Sequence, residues 1–150
     1  MRQWIEGTAV AIEDAAILLL GPSGSGKSDL ALRLIDDGAK LICDDRVELT
    51  ADEAGVWAAA PADLPPSLRG RLEARGLGIV PVPFTSVALR LHWVIELVAA
   101  AAVERLPMAE FRRILGCDVP LLRLDPFAAS APAKLRLAVR CGPGLIMGRE

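Results

Sequence analysis

Residues Gly21-Pro22-Ser23-Gly24-Ser25-Gly26-Lys27-Ser28 spell a complete phosphate-binding loop, and no other segment constrains the chain as strongly. Residues 16–20 before it read as a buried strand and residues 29–35 after it as a helix, which is the strand–loop–helix setting the motif requires. Its three glycines let the backbone curl so that successive N–H groups face a phosphate. A helix beginning at the loop adds unpaired N–H groups and a positive dipole end to the same anion site. In such a loop Lys27 reaches the β- and γ-phosphates, and the Ser28 hydroxyl ligates the Mg²⁺ that bridges them. The motif implies a nucleoside triphosphate. It leaves open the base and the destination of the phosphoryl group.

The remaining composition narrows the class. At 150 residues the chain is long enough for one domain with a real core. Hydrophobic residues make up 53% but aromatics only 4%, so Ala, Leu and Val must carry the interior. A formal net charge of −2 supplies no basic field, which argues against a nucleic-acid partner. Cys43, Cys117 and Cys141 are far apart and read as small buried thiols in a reducing, cytoplasmic compartment. No signal peptide is evident, and the apolar run at 94–103 is short and contains Glu96, so no membrane span is expected. His92, the single histidine, falls on the polar face of its strand and reads as a surface residue.

Along the chain, residues 7–12 read as a strand that turns at Glu13-Asp14 into the strand before the loop. The helix runs from 27 to about 37 and stops at Gly38, a good C′ residue. Residues 40–43 form a short strand, and 47–49 and 56–59 pair across the turn at 52–55. Prolines 61, 65 and 66 mark a loop, and residues 67–74 read as one or two helical turns broken by Gly76 and Gly78. Residues 79–82, 87–97, 119–124 and 135–141 read as strands, the second and last by alternation of apolar and polar positions. The alanines at 99–102 fit either state, and 142–150 reads as a loosely held tail. One early helix with seven or eight strands predicts an α/β fold: a P-loop kinase domain with a mixed, strand-rich sheet.

The second constellation is Asp44-Asp45, seventeen residues beyond Lys27. A strand parallel and adjacent to the loop's own strand would bring the pair beside the γ-phosphate. One carboxylate would hold Mg²⁺ or its water, and the other would accept a proton from an attacking hydroxyl. Neighbours on a strand face opposite ways, so the two are not expected to share one role.

The loop, the block Leu41-Ile42-Cys43-Asp44-Asp45-Arg46-Val47 and the block Glu73-Ala74-Arg75-Gly76-Leu77-Gly78-Ile79, in that order and spacing, resemble the HPr serine kinase/phosphorylase family. The resemblance runs from about residue 5 to 139, strongest over 16–49 and 72–80. It implies transfer of the γ-phosphoryl of ATP, with Mg²⁺, to a serine of an HPr-type phosphocarrier protein, and phosphorolysis of the phosphoserine as the reverse activity. It implies Lys27 as the loop lysine, Ser28 and Glu73 as metal ligands, and the Asp pair as the proton acceptor, with Asp45 preferred and Asp44 open. Arg105 matches the arginine that acts at the transferring phosphate. Residues 125–134 match a loop that serves dephosphorylation. A homo-oligomer, a hexamer in the family, is the implied assembly.

Departures accompany the match. The chain reads as the catalytic domain alone over 1–150, without the N-terminal regulatory domain or C-terminal helices of long members. Glu6-Gly7 stands where the family has His-Gly, and a glutamate there repels phosphate, which predicts weak phosphorolysis. Neither 61–66 nor 99–103 reveals a docking surface for the carrier. Two alternatives remain in view: a non-catalytic ATP-sensing module, and a small-metabolite kinase.

Overall fold

The computed structural model describes residues 1–146. The elements are β1 (Arg2–Ile12), β2 (Ala15–Leu20), α1 (Lys27–Asp36), β3 (Lys40–Asp52), β4 (Gly55–Ala59), β5 (Arg71–Ala74), β6 (Gly78–Pro81), β7 (Leu89–Leu97), β8 (Phe111–Ile114), β9 (Cys117–Leu124), α2 (Ala131–Cys141) and α3 (Pro143–Ile146). The expected tail thus begins as a short helix, and residues 147–150 lie outside the described residues.

The main sheet runs β2-β1-β3-β4-β7-β9-β8, and β2 also pairs with β7, so β2, β1, β3, β4 and β7 close into a ring. The β2–β7 and β7–β9 pairings are parallel and the others antiparallel, so the sheet is mixed, as expected. The inside of the ring is filled by Ala9, Ala11, Ala16, Leu18, Val47, Leu49, Val56, Ala58, Leu91 and Val94. A ring this small leaves room only for short side chains at many positions, which accounts for an alanine-rich interior almost without aromatics.

The outer face carries the second core, in which Val10, Ile17, Leu19, Leu41, Trp93 and Ile95 meet the helices. Leu30, Ala31, Leu34 and Ile35 are the buried stripe of α1. The helix stops where Gly38 N–H reaches the Ile35 carbonyl (3.0 Å) and Ala39 N–H the Leu34 carbonyl (3.1 Å), a paired closure for which Gly38, at φ 108°, is suited. Residues 135–141 are helical and not a strand: Ala131, Leu135 and Ala138 face the core at helical spacing. The alternation read over 135–141 starts too late in the segment. Pro132 in the first turn and the alanine- and leucine-rich composition favour helix.

Three further readings change. Residues 40–52 form one continuous strand rather than two. Residues 67–74 are a 3₁₀ turn at Pro66–Leu68 followed by β5, which pairs with β6 as a separate two-stranded sheet. Strand β8 has no counterpart in the sequence reading. It is joined to β9 by the two-residue turn Leu115-Gly116, with φ of 50° and 82°. Both residues are left-handed, a geometry that Asn-Gly would have announced and Leu-Gly does not. The alanines at Ala100–Ala102 form a single 3₁₀ turn.

Trp93 sits 1% exposed under α2, and its indole N–H donates to the Ala138 carbonyl at 3.1 Å. Trp93→Ala is expected to cost about 3–5 kcal/mol, and Trp93→Phe about 1 kcal/mol, for the lost hydrogen bond. Urea unfolding of the two variants measures both.

Candidate active site

The phosphate loop leaves the end of β2 and enters α1, where Gly26, at φ 101°, is the N-cap. Only a glycine adopts that angle readily, and a Cβ there would also lie 3.1 Å from the Phe127 ring. The Lys27 ammonium donates to the carbonyls of Gly21 (2.6 Å) and Pro22 (3.0 Å), so it is folded across the mouth of the loop. The Ser25 hydroxyl is buried within the loop without a hydrogen-bond partner. At this same end of the sheet the parallel strands β2, β7 and β9 terminate, Leu20 beside Glu96 and Leu97 beside Leu124. Ligand sites of open α/β sheets form at such carboxyl ends.

The Asp pair arrives on β3, but not from a strand adjacent to β2. Strand β1 lies between them, antiparallel to both. The pairing of β1 with β3 passes from Ala9↔Cys43 to Val10↔Leu41, leaving Ile42 as an extra residue. This bulge shifts the facing of everything beyond it by one position. Ile42 and Cys43 both join the inner core, whereas Leu41 joins the outer one. Asp44 therefore lies opposite Thr8 on the α1 face, and Asp45 lies opposite Gly7.

Asp44 is bound from two elements. The Thr8 hydroxyl donates to its Oδ1 at 2.8 Å, and the Ser28 hydroxyl lies 3.2 Å and 3.1 Å from its two oxygens. Among the described residues Thr8 is the one polar residue buried as a whole, at 0% exposure. Asp45 is exposed, at φ 91°. Cys43 is buried beneath the pair; burial pushes its thiol up, and the Asp44 and Asp45 charges add to the shift. A thiol so placed is a packing group and a poor nucleophile.

Among the described residues, no side-chain hydrogen bond or ion pair joins the other expected site residues to the loop. Glu73 stands on the exposed side of β5, whose Leu72 and Ala74 are buried. The Glu73–Ile79 block is thus a hairpin, with Glu73 opposite Ile79. Arg105 is exposed in the segment following the 3₁₀ turn at Ala100–Ala102 and forms no ion pair with a described residue. Among the described residues no three His, Cys, Asp or Glu side chains cluster to hold a metal ion by themselves. Mg²⁺ is commonly held by one or two protein oxygens together with substrate phosphates, and the Ser28 hydroxyl, beside the Asp44 carboxylate, would supply one such oxygen.

The sequence reading did not single out Thr8, whose only signal is a lone hydroxyl in the run Thr8-Ala9-Val10-Ala11-Ile12. Phe127, beside Gly26, lies in the stretch 125–134 that the resemblance marked only as a whole.

The family model described as HPr Serine kinase C-terminal domain matches residues 1–128. The chain belongs to this family. It is 36% identical over 131 residues to the HPr kinase/phosphorylase of Bordetella petrii, covering 81% of this chain and 42% of that protein. The HPr kinase/phosphorylase of Levilactobacillus brevis is 41% identical over 100 residues, covering 65% of this chain and 31% of that protein. The chain therefore spans less than half the length of these curated relatives. The solved structure of the Hpr(Ser) kinase/phosphatase from Coxiella burnetii superposes with a TM-score of 0.77 at 26% identity, covering 92% of this chain and 94% of that one. The mixed, strand-rich architecture is the fold of that domain. Among the described residues no helix is long and apolar enough to cross a membrane.

Cys43, 7% exposed, is expected to resist iodoacetamide in the native protein at pH 8 and to react fully in urea. Mass spectrometry of the alkylated peptides measures this, and rapid native labelling of Cys43 would contradict the buried placement.

Proposed function

We propose that this chain transfers the γ-phosphoryl of ATP to a serine hydroxyl of an HPr-type phosphocarrier protein, with phosphorolysis as a weak reverse activity. The observation that carries the reading is the junction of Thr8, Asp44 and Ser28 at the phosphate loop. In a transfer that depends on positioning and charge neutralisation, each group has a task. The loop N–H groups and Lys27 hold the phosphates, Lys27 by exchanging its loop carbonyls for phosphate oxygens. When bound, Mg²⁺ would neutralise phosphate charge, and Ser28 would hold it, with Glu73 as a further ligand by family resemblance.

Asp44, the carboxylate directed at the loop, accepts the proton of the attacking serine. This assigns to Asp44 the role for which the resemblance preferred Asp45. Arg105 neutralises charge on the transferring group and must approach from its exposed segment. The family's hexameric assembly, the cytoplasmic setting and the carrier as protein partner belong to the same proposal.

Glu6 precedes Thr8 by two residues on the same face of β1, opposite Arg46. Its carboxylate adds negative charge on the face of β1 that carries Thr8, and negative charge there would repel an incoming inorganic phosphate.

Transfer of labelled γ-phosphate from ATP to the organism's HPr-like protein tests the reading. Asp44→Asn is expected to lower kcat about 10²–10⁴-fold with ATP binding retained, as for loss of a general base, and Asp45→Asn to keep most activity. The reverse pattern would return the role to Asp45. ATP binding without transfer to any carrier would favour the sensing module. In a second comparison, Glu6→His is expected to raise phosphorolysis relative to kinase activity; no gain when both directions are assayed would sink the part assigned to Glu6.

A further inference from the structure

We propose that Phe127 is the stacking platform for the base of the bound nucleotide. The inference rests on the nucleotide-binding reading above and concerns the part of the ligand that the phosphate loop does not touch.

The two ends of a triphosphate lying on this loop are distinguishable. Ser28, Asp44 and Thr8 mark the side toward β1 and β3, and this is the γ-phosphate end. The opposite side of β2 is occupied by β7 and then β9. Strand β9 ends at Leu124, and the chain turns back over the loop through Asp125-Pro126-Phe127. A triphosphate with its γ end at Asp44 directs its nucleoside toward this turn.

The Phe127 ring lies against the Gly26 backbone, so near that a Cβ at Gly26 would sit 3.1 Å from its Cζ and 3.2 Å from its Cε1. The residue is nevertheless 67% exposed. Its position is held from several sides. The Asp125 carboxylate accepts the Phe127 N–H at 3.0 Å. Pro126 is buried. The Arg33 guanidinium donates to the carbonyls of Pro126 and Ala128, and is fixed by Asp29 at 3.1 Å. Because Arg33 and Asp29 belong to α1, the ring is tied to the helix that begins the phosphate site. An apolar ring kept in water costs free energy that a flat partner would recover, and a platform already held in place loses little entropy on binding. Base–aromatic stacking has this geometry and tolerates any base, since each presents a π-face.

Calorimetric titration with ATP and, separately, with inorganic tripolyphosphate, both with Mg²⁺, separates base from phosphate. In Phe127→Ala, ATP affinity is expected to fall between about fivefold and 150-fold, with tripolyphosphate affinity unchanged. Phe127→Trp is expected to restore ATP binding, and its added fluorescence to respond to ATP but not to tripolyphosphate. Unchanged ATP affinity in Phe127→Ala would overturn the inference. Equal losses for both ligands would also overturn it, because Phe127 would then be a prop for the loop. Failure of the wild-type protein to bind either ligand would instead remove the nucleotide reading, and this inference with it.

Discussion

The carboxylate of Asp44 is the point on which the site depends. It receives a hydroxyl from β1 and lies against another from the first turn of α1, so it joins two strands to the helix that carries the phosphate loop. Thr8 is buried, and a buried hydroxyl without an acceptor is costly. The contact is therefore a packing requirement as well as a site feature. Whatever sets the facing of Asp44 sets the chemistry available beside the loop.

That facing comes from one extra residue. Ile42, unpaired in the bulge, rotates the remainder of β3 by one position relative to β1. Were Ile42 paired regularly with Ala9, Cys43 and Asp45 would face α1, and Asp44 would point toward the inside of the ring. The bulge also sends Ile42 and Cys43 together into the inner core, where burial makes up for the lost pairing. Closure of β2, β1, β3, β4 and β7 demands curvature, and bulges are a common means of supplying it. The facing of Asp44 toward Ser28 is thus a consequence of this local irregularity.

Much of the frame was legible in the chain. The strand–loop–helix unit, the hairpin before it, the stop at Gly38 and the long strand through Trp93 each carry local signals: a motif, a turn, a C′ glycine, a period. Where the reading failed, the signals were short or absent. Residues 135–141 alternate by accident within a helix whose buried positions begin at Ala131. The Leu115-Gly116 turn adopts an angle that leucine rarely takes, so β8 had no announced partner. The segment before Glu73 looked helical from Ser67-Leu68-Arg69, part of which does enter a 3₁₀ turn, but beyond Gly70 the packing of Leu72 beneath α1 draws the chain into a strand.

By itself, then, the sequence determined the eight-residue glycine-rich loop and its place between a strand and a helix, because such a loop is made by contiguous backbone whose shape glycine permits. It also carried enough pattern to indicate a mixed, strand-rich sheet around that loop. Only the tertiary structure decided that Asp44 and not Asp45 faces Ser28, that the Asp pair reaches the loop across an intervening strand, and that Phe127 stands beside Gly26. Those relations depend on register, on closure of a ring and on the return of the chain after β9. Each links residues remote in sequence through pairing that no local window records.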